Sequence, residues 1–246
     1  MRVTVYSIMY NEEKMVSFWL RYYDSIASRI VVFDDNSIDR TREILQRSPK
    51  VEIRTPSKPL LDDGYFAHLF STTYREDRTP DWIMCVDADE FIWAEHMTCA
   101  LRLYKFMDVD VVQCRGIEMK CESFPIVYDN EQILDCVKHG RPTDWSSFGR
   151  KPCLFNPRID IEFLAGRHGA QSIDCGGREP KIVNDEEVKV LHYRDLGYQH
   201  YLAHHQKNAA RLDPNRRDKT WGIANYSPMT EEEFDKHVLD VERIIP

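Results

Sequence analysis

Trp82-Ile83-Met84-Cys85-Val86-Asp87-Ala88-Asp89-Glu90-Phe91 is the stretch whose reading decides the fold. Its apolar half has no polar interruption, which is the mark of a strand buried on both faces, as in parallel sheets covered by helices. The run then breaks into two carboxylates one residue apart. The same pattern recurs upstream: Arg2 to Ile8 and Ile30-Val31-Val32-Phe33 read as strands, and Val51-Glu52-Ile53 as a shorter one. Between them, Val16, Trp19, Tyr23 and Ile26 fall at helical spacing behind Asn11-Glu12-Glu13, which reads as a capped start. Thr41 to Gln46 and Tyr65 to Arg75 supply two more helices. Such alternation predicts an α/β fold, a mainly parallel sheet flanked by helices.

Ligands of such sheets bind beyond the carboxyl ends of the strands. Three polar clusters fall there: Tyr10-Asn11-Glu12, Asp34-Asp35-Asn36-Ser37 and Asp87-Ala88-Asp89-Glu90. Past about residue 115 the alternation weakens. Residues 118–150 look loop-rich, with Pro125, Gly140, Pro142 and Gly149, and short strands follow near 153–156 and 188–192. An amphipathic helix is expected from Asp195 to Leu212, and a last one from the capping box Thr230-Glu231-Glu232-Glu233.

Composition narrows the function. A net charge of −8 over 246 residues argues against nucleic acid as a partner, which would demand a basic stripe. No apolar stretch is long enough for a transmembrane segment, and with a strand read from Arg2 no signal peptide is expected. Seven cysteines, odd in number and without a CxxC pair, read as buried free thiols, so the expected location is cytoplasmic. The ten glycines form neither GxGxxG nor GxxxxGK. A nucleotide bound here would therefore have its phosphates met by a metal and by side-chain cations.

Asp87 and Asp89 offer what a hard cation such as Mg²⁺ or Mn²⁺ prefers, one or two carboxylates completed by phosphate oxygens. Alone, the pair could equally cap the next helix. Asp34 and Asp35 could accept hydrogen bonds from a base or a ribose, while Ser37, Asp39 and Thr41 organise the turn around them. His192 closes the Val188–Leu191 run, where a structural histidine is the commoner outcome. His200, His204 and His205 read as surface or packing residues. Residues 194–219 are locally basic, with Arg216, Arg217 and Lys219 suited either to a solvated loop or to a flap over a diphosphate.

Taken in order and spacing, the three clusters resemble the family 2 glycosyltransferases, in the branch whose metal motif reads DxDEF. The resemblance covers residues 2–115 and, more loosely, 150–194, where Lys151-Pro152, Gly166-Arg167-His168 and Leu191-His192-Tyr193-Arg194 look like later motifs. It implies a GT-A fold in a single domain. Residues 1–115 would form the nucleotide-sugar-binding half, 116–194 the acceptor half, and 195–246 a C-terminal helical extension. It implies a nucleotide-diphosphate sugar donor, UDP-linked in the common case, and a glycan or other hydroxyl acceptor. Tyr10 matches an aromatic that stacks on the donor base, Asp35 (or Asp34) the acid that hydrogen-bonds it, and Asp87 the position near the ribose. Asp89 matches the metal ligand, with Asp87 beside it. His192 matches a late histidine at the metal or diphosphate, and Arg194 a donor contact.

Two departures from the family stand out. Its usual acidic pair for the catalytic base is not recognisable, and the QxxRW signature of processive synthases is absent. Asp144, Asp160 and Glu162 are the unranked candidates for the base, and Trp145 and Phe148 could face a sugar ring or pack in the core. Three rival classes fit less well. A nucleotidyltransferase lacks its Gly-rich loop here, a haloacid-dehalogenase-type phosphatase would carry DxD after the first strand, and a degenerate, non-catalytic binder would tolerate loss of acids that are all present.

Overall fold

The computed structural model describes residues 1–57, 61–126, 131–143, 150–212 and 227–246. In chain order the elements are β1 (Val3–Met9), α1 (Val16–Ile26), β2 (Arg29–Asp34), α2 (Thr41–Leu45), β3 (Val51–Arg54), α3 (Asp63–Thr73), β4 (Trp82–Asp87), β5 (Glu90–Trp93) and α4 (Met97–Phe106). They continue with β6 (Val111–Cys121), α5 (Ile133–Cys136), β7 (His139–Pro142), β8 (Arg150–Phe155), β9 (Asp160–Phe163), β10 (Ala170–Asp174), β11 (Ile182–Leu196), α6 (Tyr198–Arg211), α7 (Glu231–Leu239) and β12 (Glu242–Arg243).

The large sheet runs β12-β7-β6-β8-β4-β1-β2-β3, and β11 lies between β6 and β5. Strands β3, β2, β1 and β4 are mutually parallel, as is the long β6–β11 ladder, so most of the paired residues are parallel. Strands β1, β2 and β4 are buried almost end to end, which their unbroken apolar runs required. Antiparallel pairing enters with β5, β7 and β8.

Helices cover both faces. Val16, Trp19, Leu20 and Tyr23 of α1 pack with Leu45 of α2 and Leu101 of α4 in one core, and Ala67 and Phe70 of α3 pack with Ile161 of β9 in the other. Burying two such layers is the main favourable term of the fold, at roughly 25 cal/mol per Å² of apolar surface removed from water.

The structure corrects three readings of local sequence. Asn11 does not cap α1. It takes a left-handed backbone (φ 52°), donates its N–H to Ser37 Oγ at 2.9 Å, and accepts the Ile38 N–H at 2.8 Å. The first two strand-end loops are thereby tied together. β11 spans fifteen residues, not five, because its polar start at Asn184-Asp185 pairs with β6. Asp195 still belongs to that strand, and α6 begins only after Gly197.

Candidate functional site

Strand register assembles the site. Met9 pairs with Asp34, and Ile8 with Asp87, so the residues that follow β1, β2 and β4 reach one edge of the sheet. Beside them, His192 of β11 lies between Glu90 of β5 and Glu118 of β6. A cleft of about 1160 Å³ opens along this edge, and Tyr10, Glu12, Asp87, Asp89, His192 and Arg194 are among its lining residues.

The β4–β5 turn that carries both aspartates is held from below. Glu90, almost fully buried, accepts the Asp87 N–H at 3.1 Å and forms an ion pair with buried Lys151. Arg167 pairs with Asp87 at 2.6 Å, approaches Glu90 at 3.9 Å, and lies over the Phe70 ring at 4.4 Å. Tyr23 of α1 donates its hydroxyl to the Glu90 carbonyl at 3.0 Å and accepts the Ile92 N–H at 2.9 Å. A helix on the covered face thus fixes the strand that presents the acids.

Asp89 faces His192: Oδ2 and Nε2 are 3.2 Å apart, and the other ring nitrogen is 3.0 Å from Glu118. Burial works to raise the Asp89 pKa, but the His192 charge, helped by His204 and Arg194, holds the carboxyl far below its usual range. Burial likewise opposes a charge on His192, and Glu118 and Asp89 together outweigh it, raising the pKa of the ring well above its usual value. Arg194 contacts Asp195 at 3.2 Å and Glu118 at 3.8 Å. His237 of α7 closes this side with 2.8 Å to Asp195.

At the other end of the cleft the two aspartates after β2 part company. Asp34 is fully buried and engaged by Arg42 at 2.6 Å and, at 3.3 Å, by the Ser37 N–H. Asp35 is paired with Arg211, whose guanidinium lies 4.0 Å over the Tyr10 ring. Neither aspartate is among the lining residues, whereas Tyr10 and Arg211 both are. Glu12 pairs with Lys207, and burial pushes its pKa up to about 7 against that ion pair. As expected from sequence, Asp39 and Thr41 organise the turn: Asp39 accepts the N–H groups of Thr41 and Glu13, and Thr41 that of Glu12.

Of the proposed bases, Asp144 lies outside the described residues, as do Trp145, Phe148, Arg216, Arg217 and Lys219. Asp160 is engaged by Arg75 and Arg78, Glu162 accepts from Ser172 at 3.3 Å, and neither lines the cleft. His204 and His205, read from sequence as packing or surface residues, do line it. Burial pulls the His204 pKa down to about 3, and its Nε2 is 2.9 Å from Asn208. Sequence reasoning also passed over Glu118, Lys120 and Arg141 as cleft residues, and the only available signal was their place on strands whose pairing it could not foresee.

Among the described residues, no three His, Cys, Asp or Glu side chains converge as a cage for a cation. Asp89 and His192 still suit an ion that takes its remaining ligands from a substrate, provided the ion displaces the proton that Asp89 and Glu118 hold on the ring. Neighbouring ligands of an octahedral Mg²⁺ or Mn²⁺ lie about 3 Å apart, and these two donors are 3.2 Å apart.

No protein-family model matches the chain, and no curated protein matches it. Solved structures do. The crystal structure of S. aureus TarS superposes with a TM-score of 0.50 at 13% identity, over 97% of this chain and 43% of that one. TarS 1-349 superposes with a TM-score of 0.50 at 14% identity, over 97% of this chain and 69% of that one. The chain therefore spans less than half the length of the longer TarS chain. The likeness establishes the fold, a GT-A-type α/β arrangement with a large, mostly parallel central sheet between helices.

Proposed function

We propose that the chain is a metal-dependent, non-processive glycosyltransferase that moves a sugar from a nucleoside-diphosphate sugar to an acceptor hydroxyl. One observation carries this reading: the acids at the ends of β1 and β4 and the histidine of β11 meet in a single cleft of a GT-A fold, with Asp89 against His192. In a protein of net charge −8, the same cleft is also lined by Lys120, Arg141, Lys151, Arg167 and Arg194, the cations a diphosphate needs.

Tyr10 and Asp35 take the nucleobase, by stacking and by accepting a ring N–H. A base with such an N–H, uracil or guanine, suits the carboxylate better than adenine or cytosine, whose ring nitrogens at that edge are acceptors. UDP is the first choice because the resemblance to family 2 transferases favours it. Asp87 sits toward the ribose, its orientation set by Arg167. Asp89 and His192 would hold a divalent cation, which supplies charge neutralisation on the departing nucleoside diphosphate. Lys151 and Arg167 keep Asp87 and Glu90 aligned so that the turn carries its charge without collapsing. Arg194 places a further positive charge on the diphosphate side. The absence of a QxxRW signature favours single transfers over polymerisation. The free thiols fit a reducing compartment such as the cytoplasm.

A thermal-shift screen of nucleotide sugars with Mn²⁺ tests the reading. A ligand at a hundredfold excess over Kd stabilises the native state by about 2.7 kcal/mol. UDP-linked sugars should shift the wild type, followed by slow release of UDP, and Asp89→Ala should lower that turnover by about a hundredfold or more. Binding with no hydrolysis or transfer across a broad acceptor panel would point to a non-catalytic binder. Full turnover in excess chelator would remove the metal from the proposal.

A further inference from the structure

We infer that Arg211, the last residue of α6, is a built-in occupant of the nucleobase pocket, so that donor binding requires this side chain to leave. The inference rests on the donor-site reading above and adds a gate to it.

The contacts of Arg211 are those a base would make. Its guanidinium is flat and lies over the Tyr10 ring, with the central carbon 4.0 Å from the ring centroid. One of its N–H groups is given to the Asp35 carboxylate. Stacking on Tyr10 and donation to Asp35 are the two interactions assigned to the nucleobase, and a planar cation with in-plane donors supplies both. The arrangement explains why Asp35, at 3% exposure, is not among the residues lining the cleft while Arg211 is. Arg211 forms the floor that the base would otherwise meet.

The backbone holds Arg211 in place. Its carbonyl accepts the Leu61 N–H at 3.2 Å, and Leu212 forms a parallel bridge with Leu61. One turn earlier, Lys207 pairs with Glu12 and donates to the Asn11 carbonyl at 3.3 Å. The end of α6 is thus tied to the β1 loop and to the segment before α3, across the mouth of the pocket. The closed arrangement is also imperfect. Among the described residues, Asp35 Oδ1 is buried without a hydrogen-bond partner, so the carboxylate can accept a second donor that Arg211 does not provide. An incoming ligand can satisfy it better than the plug does.

A binding site that is open only part of the time loses apparent affinity in proportion to its open fraction. Removing the plug should restore that loss. Calorimetry with UDP and GDP in Mn²⁺ should be run on the wild type, Arg211→Ala and Arg211→Lys, with ADP and CDP as controls. Arg211→Ala should bind UDP or GDP about tenfold more tightly than the wild type, with faster association in stopped flow. Arg211→Lys keeps a charge for Asp35 but not the flat stack, and it should fall between the two. It also keeps the test alive if the alanine variant folds poorly. Affinity that is unchanged or weaker in both variants, with the wild type binding normally, overturns the gate and leaves the donor site standing. If neither the wild type nor the variants bind any of the four nucleoside diphosphates, the donor-site reading itself falls, and the gate with it.

Discussion

Arg167 holds a left-handed backbone at φ 56°, next to Gly166 at φ 70°, in the short 3₁₀ turn Ala165–Arg167. A long side chain in that region costs of order 1–3 kcal/mol and persists only where its surroundings compensate. Here they do: the guanidinium is nearly fully buried, stacked on Phe70, and set against Asp87 and Glu90. Burial disfavours its charge, but Asp87 and then Glu90 outweigh that and raise its pKa further. Removing one member of a buried charge cluster leaves the others uncompensated. Arg167→Ala should therefore lower stability by about 3 kcal/mol in urea unfolding. A loss under about 1 kcal/mol would mean that water, not Arg167, compensates Asp87. Tyr10, Asp87 and Asp89 could be picked from the sequence because each sits at or just past the end of a legible strand, and His192 because the apolar run stops at it, although β11 itself continues to Leu196. Arg167 and Lys151 were visible only as parts of looser motifs, and Glu118 not at all. What joins Glu118 to His192 is the register of β6 on β11, and a one-residue slip would have turned either side chain to the other face.

At the scale of elements, the junction between β11 and α6 sets the far wall of the cleft. Gly197 turns the chain there at φ 77°, and a Cβ on it would lie 2.8 Å from the Phe124 backbone nitrogen. The backbone of residues 123–124 occupies the space, so a side chain must push the two segments apart. Gly197→Ala should cost about 2 kcal/mol or more, read as a lower Tm. Nucleotide affinity should change with it, because α6 carries His204, Lys207 and Arg211. A variant with wild-type Tm would show that the 123–124 segment yields freely. Sequence patterning found α6 and the capping box of α7 at Thr230, which the structure contains. It started α6 three residues early, because Asp195 resembles a helix cap and nothing local reveals that its carboxylate is committed to Arg194 and His237. It also shortened β11, since the polar stretch at Asn184-Asp185 departs from the apolar run expected of a buried strand.

Across the whole molecule, the N-terminal half was legible because three buried parallel strands, β1, β2 and β4, write themselves as apolar runs ending in polar clusters. The C-terminal half was not, because there β6 pairs with β7, β8 and β11, partners far apart in sequence. One buried carboxylate joins these distant parts at the end of β6 away from the cleft. Asp110 accepts two hydrogen bonds from Arg178, each 2.6 Å, together with the Lys181 N–H and Arg158 Nε, each 2.8 Å. Burial pushes its pKa up, but the Arg178 hydrogen bonds, the Lys181 N–H and Arg158 prevail and bring it down to about 2. The sign of the linkage follows. A carboxyl depressed on folding stabilises the native state fully above its unfolded pKa of about 4, and that contribution is lost as pH falls through the folded value. The shift corresponds to about 2–3 kcal/mol at neutral pH. Asp110→Asn keeps the shape and removes the charge, so its deficit relative to the wild type in urea unfolding should be of that size at pH 6 and shrink steadily toward pH 2.5. A deficit equally large at both pH values would show that packing around the side chain, not its charge, holds β6 to the 158 and 178–181 segments.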